Sequence, residues 1–160
     1  MKAHGVPQAR LNAELLLSDV LGKSRIELYL NYDKPLVEKE LRFLRELLKS
    51  RASRRPIQYV LRKTEFFSLP FLVAEGVFIP RPETEILVEE ALNTVGAFTG
   101  AAEIVVFDVG TGCGCIAVSL AHTIAKCRVY ASDISPEAIS LARRNVTKNG
   151  VAEKVILLQG

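Results

Sequence analysis

The chain has 160 residues, 49% of them hydrophobic and 24% charged, a balance that supports a buried core and excludes intrinsic disorder. The net charge of +3 is mild but uneven: residues 1–75 carry 14 Lys/Arg against 9 Asp/Glu, and residues 76–160 carry 7 against 9, so the first part is the expected contact surface for an acidic partner. Cys113, Cys115 and Cys127 are odd in number and lack zinc-ligand spacing, and no apolar run reaches the roughly 18 residues of a membrane span; the expectation is a cytoplasmic protein with no disulfide framework, no metal and no signal peptide.

In chain order, Pro7 opens a helix in which Leu11, Leu15, Leu16 and Val20 recur at helical spacing, closed by Gly22. Ser24 caps a second, short helix, with Glu27 completing a capping box. Beyond the turn at Asp33-Lys34-Pro35, Leu41, Leu44, Leu47 and Leu48 mark a longer helix over about 37–53 whose polar face, with Lys49, Arg51, Arg54 and Arg55 at its end, is basic. Pro56 starts a short helical turn through Tyr59, Val60 and Leu61. Aromatic and β-branched residues around a Pro-containing turn then predict a β-hairpin between Thr64 and Val73, followed by a strand-like piece, Val77-Phe78-Ile79. Pro82 begins a helix running to Gly96, and a small-residue loop covers 96–100. The remainder alternates: strand 104–108, helix 114–125, strand 128–133, helix 136–149, strand 155–159. Alternation of this kind implies a parallel sheet with right-handed crossovers, and the run from Ile104 to Phe107 reads as a strand buried within it.

Chemistry concentrates at Asp108-Val109-Gly110-Thr111-Gly112-Cys113-Gly114, an acid and three alternating glycines where a strand turns into a helix. Such a turn lets a ligand approach the backbone and the free N–H groups of the first helical turn. The spacing misses the dinucleotide pattern, since Cys115 stands where its third glycine would. Asp108 would repel a pyrophosphate but can attract a cationic ligand. The plainer reading is an ordinary Gly-rich turn. Asp133 ends the next strand about 20 residues on, the separation at which such folds hold ribose hydroxyls. It could instead cap the next helix, but Ser135 can do that, leaving Asp133 free. Cys113 and Cys115 have no histidine near in sequence and read as packing residues, and His4 and His122 are isolated.

The D-x-G-x-G-x-G run resembles motif I of the S-adenosylmethionine-dependent methyltransferases. With Phe78-Ile79-Pro80-Arg81-Pro82-Glu83-Thr84-Glu85, Leu11 to Leu17, Arg54 to Val60 and Ala131 to Ser135, the chain resembles the HemK/PrmC-type release-factor glutamine methyltransferases over essentially its whole length. The resemblance implies an α/β chain: a helical substrate-docking domain (1–62), a β-hairpin linker (63–80) and the first part of a Rossmann-like class I methyltransferase domain (81–160). It implies S-adenosylmethionine held by Asp108, Gly110, Thr111, Gly112, Gly114, Asp133 and Ile134, with Pro80, Arg81, Pro82 and Glu83 lining the cleft. The implied reaction is methylation of the side-chain amide nitrogen of the glutamine in the Gly-Gly-Gln motif of peptide-chain release factors. The release factor is the implied partner, with indirect contact to ribosomal RNA and no membrane or metal. Arg62 and Ser68 depart from the family, which usually has glycine at both places. The family's Asn-Pro-Pro-Tyr motif is absent from the 160 residues, so the expectation is a truncated domain with no catalytic residue, inert alone. The alternatives are a nucleic-acid base amino-methyltransferase and an inert release-factor-binding fragment.

Overall fold

The computed structural model describes residues 1, 4–96 and 103–160; the loop expected at 96–100 lies, from 97 onward, outside them. The chain divides into two compact units, Met1–Leu61 and Arg62–Gly160.

The first unit is helical: α1 (Ala9–Leu21), α2 (Arg25–Leu30), α3 (Glu38–Ala52) and α4 (Ile57–Leu61). Helix α1 starts two residues later than Pro7 suggested, behind Gln8 in the left-handed region (φ 50°). Its end is as read, with Gly22 left-handed at φ 62° and the Lys23 N–H donating to the Ser18 carbonyl. The capping box at α2 forms: the Ser24 N–H donates to Glu27 Oε2 at 2.8 Å, and the Glu27 N–H donates to Ser24 Oγ at 3.3 Å. Leu16 and Val60 are buried here, and so is Arg51, which the sequence places on the basic polar face of α3. Its guanidinium donates to Asn12 Oδ1 at 2.7 Å and to the Arg55 carbonyl at 3.0 Å, while Asn12 Nδ2 donates to the Pro7 and Gln8 carbonyls. Arg51 therefore ties α3 to α1 through a satisfied polar pair, and Lys49 and Arg54 remain exposed.

The second unit opens with a hairpin, β1 (Lys63–Phe66) and β2 (Leu69–Leu72). Phe66 pairs with Leu69, so the loop has two residues, Phe67 and Ser68, at φ 49° and 57°, the backbone of a type I′ turn. Val77-Phe78-Ile79 forms no strand. The Val77 N–H closes a turn onto the Ala74 carbonyl at 3.2 Å, and Pro80 and Pro82 cannot donate to a ladder. Helix α5 (Glu83–Gly96) follows, then β3 (Ile104–Val109), α6 (Cys115–Thr123), β4 (Cys127–Asp133), α7 (Pro136–Lys148) and β5 (Val155–Gln159).

The three strands form a parallel sheet in the order β3-β4-β5, with Asp108 beside Ala131 and Asp133 beside Gln159. Because each strand adds on the same side of its predecessor, right-handed crossovers put both helices on one face. There Val129, Ala131 and Val155 bury against Val118, Ala121, Leu141 and Val146. The opposite face is open: Phe107, stacked on Tyr130 at 5.3 Å, is 72% exposed, and Val105, Val109, Ile156 and Leu158 are exposed beside it. So β3 is buried on one face only, correcting the reading of a fully buried strand.

Candidate functional site

Strand β3 delivers Asp108 to the sheet's carboxyl end, and the chain turns at once into α6. The Gly110 and Thr111 N–H groups both donate to the Ser132 carbonyl at 2.9 Å, which fastens the start of the glycine loop to the neighbouring strand. Asp108 is buried, and Thr111 Oγ1 donates to its Oδ2 at 2.7 Å. Burial pushes the Asp108 carboxyl above the ordinary carboxylate range, opposed by the Thr111 hydroxyl and the Ala117 N–H. Its first job is thus internal: it staples the loop to the first turn of α6.

The glycines serve different ends. Gly114, left-handed at φ 83°, starts α6 where a Cβ would lie 3.2 Å from Ala142 Cβ, so its lack of a side chain lets α6 and α7 approach. Gly110 is left-handed at φ 78° with nothing within 4 Å of where a Cβ would be; it leaves backbone bare toward open space, as a cradle requires. A Cβ at Gly112 would lie 4.0 Å from Val77 Cγ1, so the segment leading into Phe78-Glu85 runs beside the loop.

Asp133, at the end of β4, reaches back to that loop. Its Oδ2 accepts from the Gly112 N–H at 2.8 Å and its Oδ1 from the Ser135 N–H at 3.0 Å. Ser135 does cap α7, accepting from the Ala138 N–H at 3.1 Å. The carboxylate is nevertheless not free, since each oxygen already holds one backbone donor; each keeps a further lone pair for a ligand. Ile134 beside it is 84% exposed.

Of the cleft candidates, Pro80 is half-buried and Arg81, Pro82 and Glu83 are exposed. Arg81 lies over the Phe78 ring at 5.1 Å. The packed acid is Glu85, whose Oε1 accepts from the Phe67 N–H at 2.8 Å and so holds the hairpin turn. Cys113 and Cys115 are buried free thiols; contact with Cys113, then burial, pushes Cys115 far above the ordinary thiol range, which suits packing. Among the described residues no His/Cys/Asp/Glu group is placed to hold a metal, and no helix is long and apolar enough to cross a membrane.

The sequence reading does not single out Asn145. It sits in α7, fully buried, and bonds to both the hairpin and the Cys113 carbonyl. The signal was present: Ala138, Leu141, Ala142, Asn145 and Val146 form one helical stripe, and an amide on an apolar stripe marks a buried polar contact.

The chain can be set beside known proteins. Residues 1–61 match the family model for the PrmC N-terminal domain, and residues 84–160 match that for ribosomal protein L11 methyltransferase (PrmA). The release factor glutamine methyltransferase of Geobacter sulfurreducens is 47% identical over 98% of this chain and 52% of that protein. The protein of the same name from Chlorobaculum tepidum is 43% identical over 94% of this chain and 52% of its own length. The chain is similar to release factor glutamine methyltransferases along nearly all of its length, and it spans about half the length of the curated relatives it matches. In fold it is similar to the tRNA m1G37 methyltransferase of M. jannaschii, at a TM-score of 0.50 and 19% identity over 61% of this chain and 29% of that one. That likeness concerns architecture alone.

Proposed function

We propose that this chain carries the substrate-docking unit and the cofactor-binding half of an S-adenosylmethionine-dependent methyltransferase acting on the glutamine side-chain amide of peptide-chain release factors. One observation carries the reading: an acidic, open-backed glycine loop, bonded through Gly112 to Asp133, on the same chain as a match to the PrmC N-terminal domain. That match favours a protein substrate over a nucleic-acid base.

In this reading residues 1–62 dock the substrate, 63–80 link, and 81–160 hold the cofactor. The bare backbone at Gly110 takes the cofactor's approach, Gly112 fixes Asp133 beside it, and the remaining lone pairs of Asp133 accept the cofactor's ribose hydroxyls. Ile134 offers an apolar wall. Asp108 and Thr111 keep the loop in shape, Gly114 sets the start of α6, and Asp108 supplies negative charge suited to a cationic ligand. Pro80, Arg81, Pro82 and Glu83 line the substrate side. S-adenosylmethionine, when bound, supplies an electrophilic methyl group on a sulfonium. A neutral amide nitrogen is a poor nucleophile and needs groups that hold its N–H donors and exclude water. No side chain of the glycine loop does this, so residues 1–160 alone are expected to be inactive. The basic excess of residues 1–75, with Lys49 and Arg54 exposed, would steer the chain toward an acidic partner, such as a release factor near ribosomal RNA.

Titration calorimetry tests the cofactor assignment. The chain is expected to bind S-adenosylhomocysteine in preference to NAD; tighter binding of NAD overturns it. Anisotropy titration with a labelled release factor tests docking: the affinity is expected to fall with salt and to weaken on charge reversal at Lys49 and Arg54.

A further inference from the structure

The peptide plane between Cys113 and Gly114 leads into the N-cap of α6, and one of the two torsions that turn it, φ of Gly114, belongs to a glycine. Two hydrogen bonds fix it. The Gly114 N–H donates to the Thr111 carbonyl at 2.9 Å, and the Cys113 carbonyl accepts from Asn145 Nδ2 at 2.8 Å. The first is local to the loop and the second comes from another helix. Asn145 spends its remaining capacity on the hairpin: its Oδ1 accepts from the Leu72 N–H at 2.7 Å, and its Nδ2 also donates to the Leu72 carbonyl at 3.0 Å. One fully buried amide thus pairs both main-chain groups of Leu72 as a neighbouring strand would, and with its second N–H holds the glycine loop. Asparagine is a poor residue for a helix interior, so its contribution here comes from these three bonds.

We propose that Asn145 is a positioning residue of the cofactor site: it sets the orientation of the Cys113–Gly114 peptide and couples it to the seat of the β1–β2 hairpin. The inference rests on the cofactor reading above. Without Asn145 the Cys113 carbonyl and both Leu72 groups lose their partner together. The peptide plane can then rotate about ψ of Cys113 and φ of Gly114, and the first turn of α6 no longer presents a fixed face to a ligand. Nearby Asn149 gives the contrast, because its Nδ2 donates to the Pro70 carbonyl at 3.1 Å and to Asn145's own carbonyl, touching the hairpin and not the loop.

The test uses the full chain, at a temperature where circular dichroism shows each variant folded. Asn145→Leu is expected to weaken S-adenosylhomocysteine binding at least tenfold. In the cofactor-free chain it should speed amide exchange at Gly114 and Cys115 at least tenfold, with β4 exchange unchanged. Asn149→Ala should change the affinity by less than twofold. If Asn145→Leu does not fold, Asn145→Ser carries the same comparison. A lowered melting temperature with affinity and loop exchange both within twofold of the parent would mean that Asn145 only packs, and the proposal fails. If the unsubstituted chain binds no S-adenosylhomocysteine, the cofactor reading fails on its own and loop exchange alone decides: faster exchange upholds the positioning role, unchanged exchange removes it.

Discussion

Asp133 performs two tasks with one carboxylate, and this decides how it should be tested. Its oxygens hold the N–H groups of Gly112 and Ser135, so removing the side chain would loosen the loop as well as the ligand contact. Asp133→Asn keeps the shape but places an amide N–H against one backbone donor and removes the charge. We expect binding of S-adenosylhomocysteine to weaken by about 1.5–3 kcal/mol, the range for hydrogen bonds to a charged group, measured by calorimetry; an unchanged affinity would remove Asp133 from the site. Arg62 and Ser68, where the family usually has glycine, stand at φ 58° and 57°. Left-handed backbone costs a non-glycine residue ~1–2 kcal/mol, and glycine returns ~0.5–1 kcal/mol of that through its freer unfolded chain. Arg62→Gly and Ser68→Gly should therefore each stabilise the chain by up to about 1 kcal/mol, read from urea unfolding; loss of stability would show that these side chains make compensating contacts. Asp108, the glycines and Asp133 were legible in sequence because their spacing alone places them at strand ends. The burial of Arg51 was not, nor were the partners of Asn145, whose stripe marks a buried amide without saying what it meets, because Asn12, Leu72 and Cys113 lie dozens of positions away.

Among the elements, α1 and α2 are joined by a cluster around Glu14. The carboxylate accepts from Arg10 Nε at 3.0 Å, from the Tyr29 hydroxyl at 2.6 Å and from Arg25 Nη2 at 2.6 Å. The Tyr29 bond, then the two arginines, holds the Glu14 carboxyl down at about 2, against an ordinary 4.5. A group with a depressed folded-state pKa adds stability that is fully present above its unfolded value and disappears as the pH falls through the folded value. The cluster's contribution should accordingly be intact above pH 4.5 and lost between there and about pH 2. Unfolding of the parent and of Glu14→Gln compared across that window should show two curves converging as the pH drops; a constant gap would refute the assignment. Helices in general were readable from leucine spacing and caps, and the alternating half was readable because apolar strands and helices differ in period. The strand expected at Val77–Ile79 was not, because its β-branched composition gave no sign that the Val77 N–H would be taken by a turn and that the prolines would end any ladder.

At the scale of the whole molecule, the second unit has a sheet covered by helices on one face and bare on the other. Parallel sheets are ordinarily buried on both faces, and the sequence of β3, apolar at Val105, Phe107 and Val109 as well as at Ile104 and Val106, suits that state. As the chain stands, Phe107 and Val109 are 72% and 85% exposed, with Val105, Ile156 and Leu158 also exposed. A contiguous apolar surface of this kind drives association unless something covers it. The outer edges of β3 and β5, which pair with no further strand among the described residues, add main-chain donors and acceptors that can recruit another strand. We therefore expect the chain to self-associate with rising concentration in sedimentation velocity and to bind a hydrophobic dye. Phe107→Lys, which places a charge in the exposed row of β3 beside Tyr130 and leaves the packed face untouched, should raise the concentration at which association begins at least several-fold and reduce dye binding. Because the change lies opposite α6 and α7, thermal unfolding of the dilute chain should move little. A parent chain that stays monomeric at every concentration, or a Phe107→Lys variant that associates as readily as the parent, would place the association surface elsewhere and leave the bare face without consequence in solution.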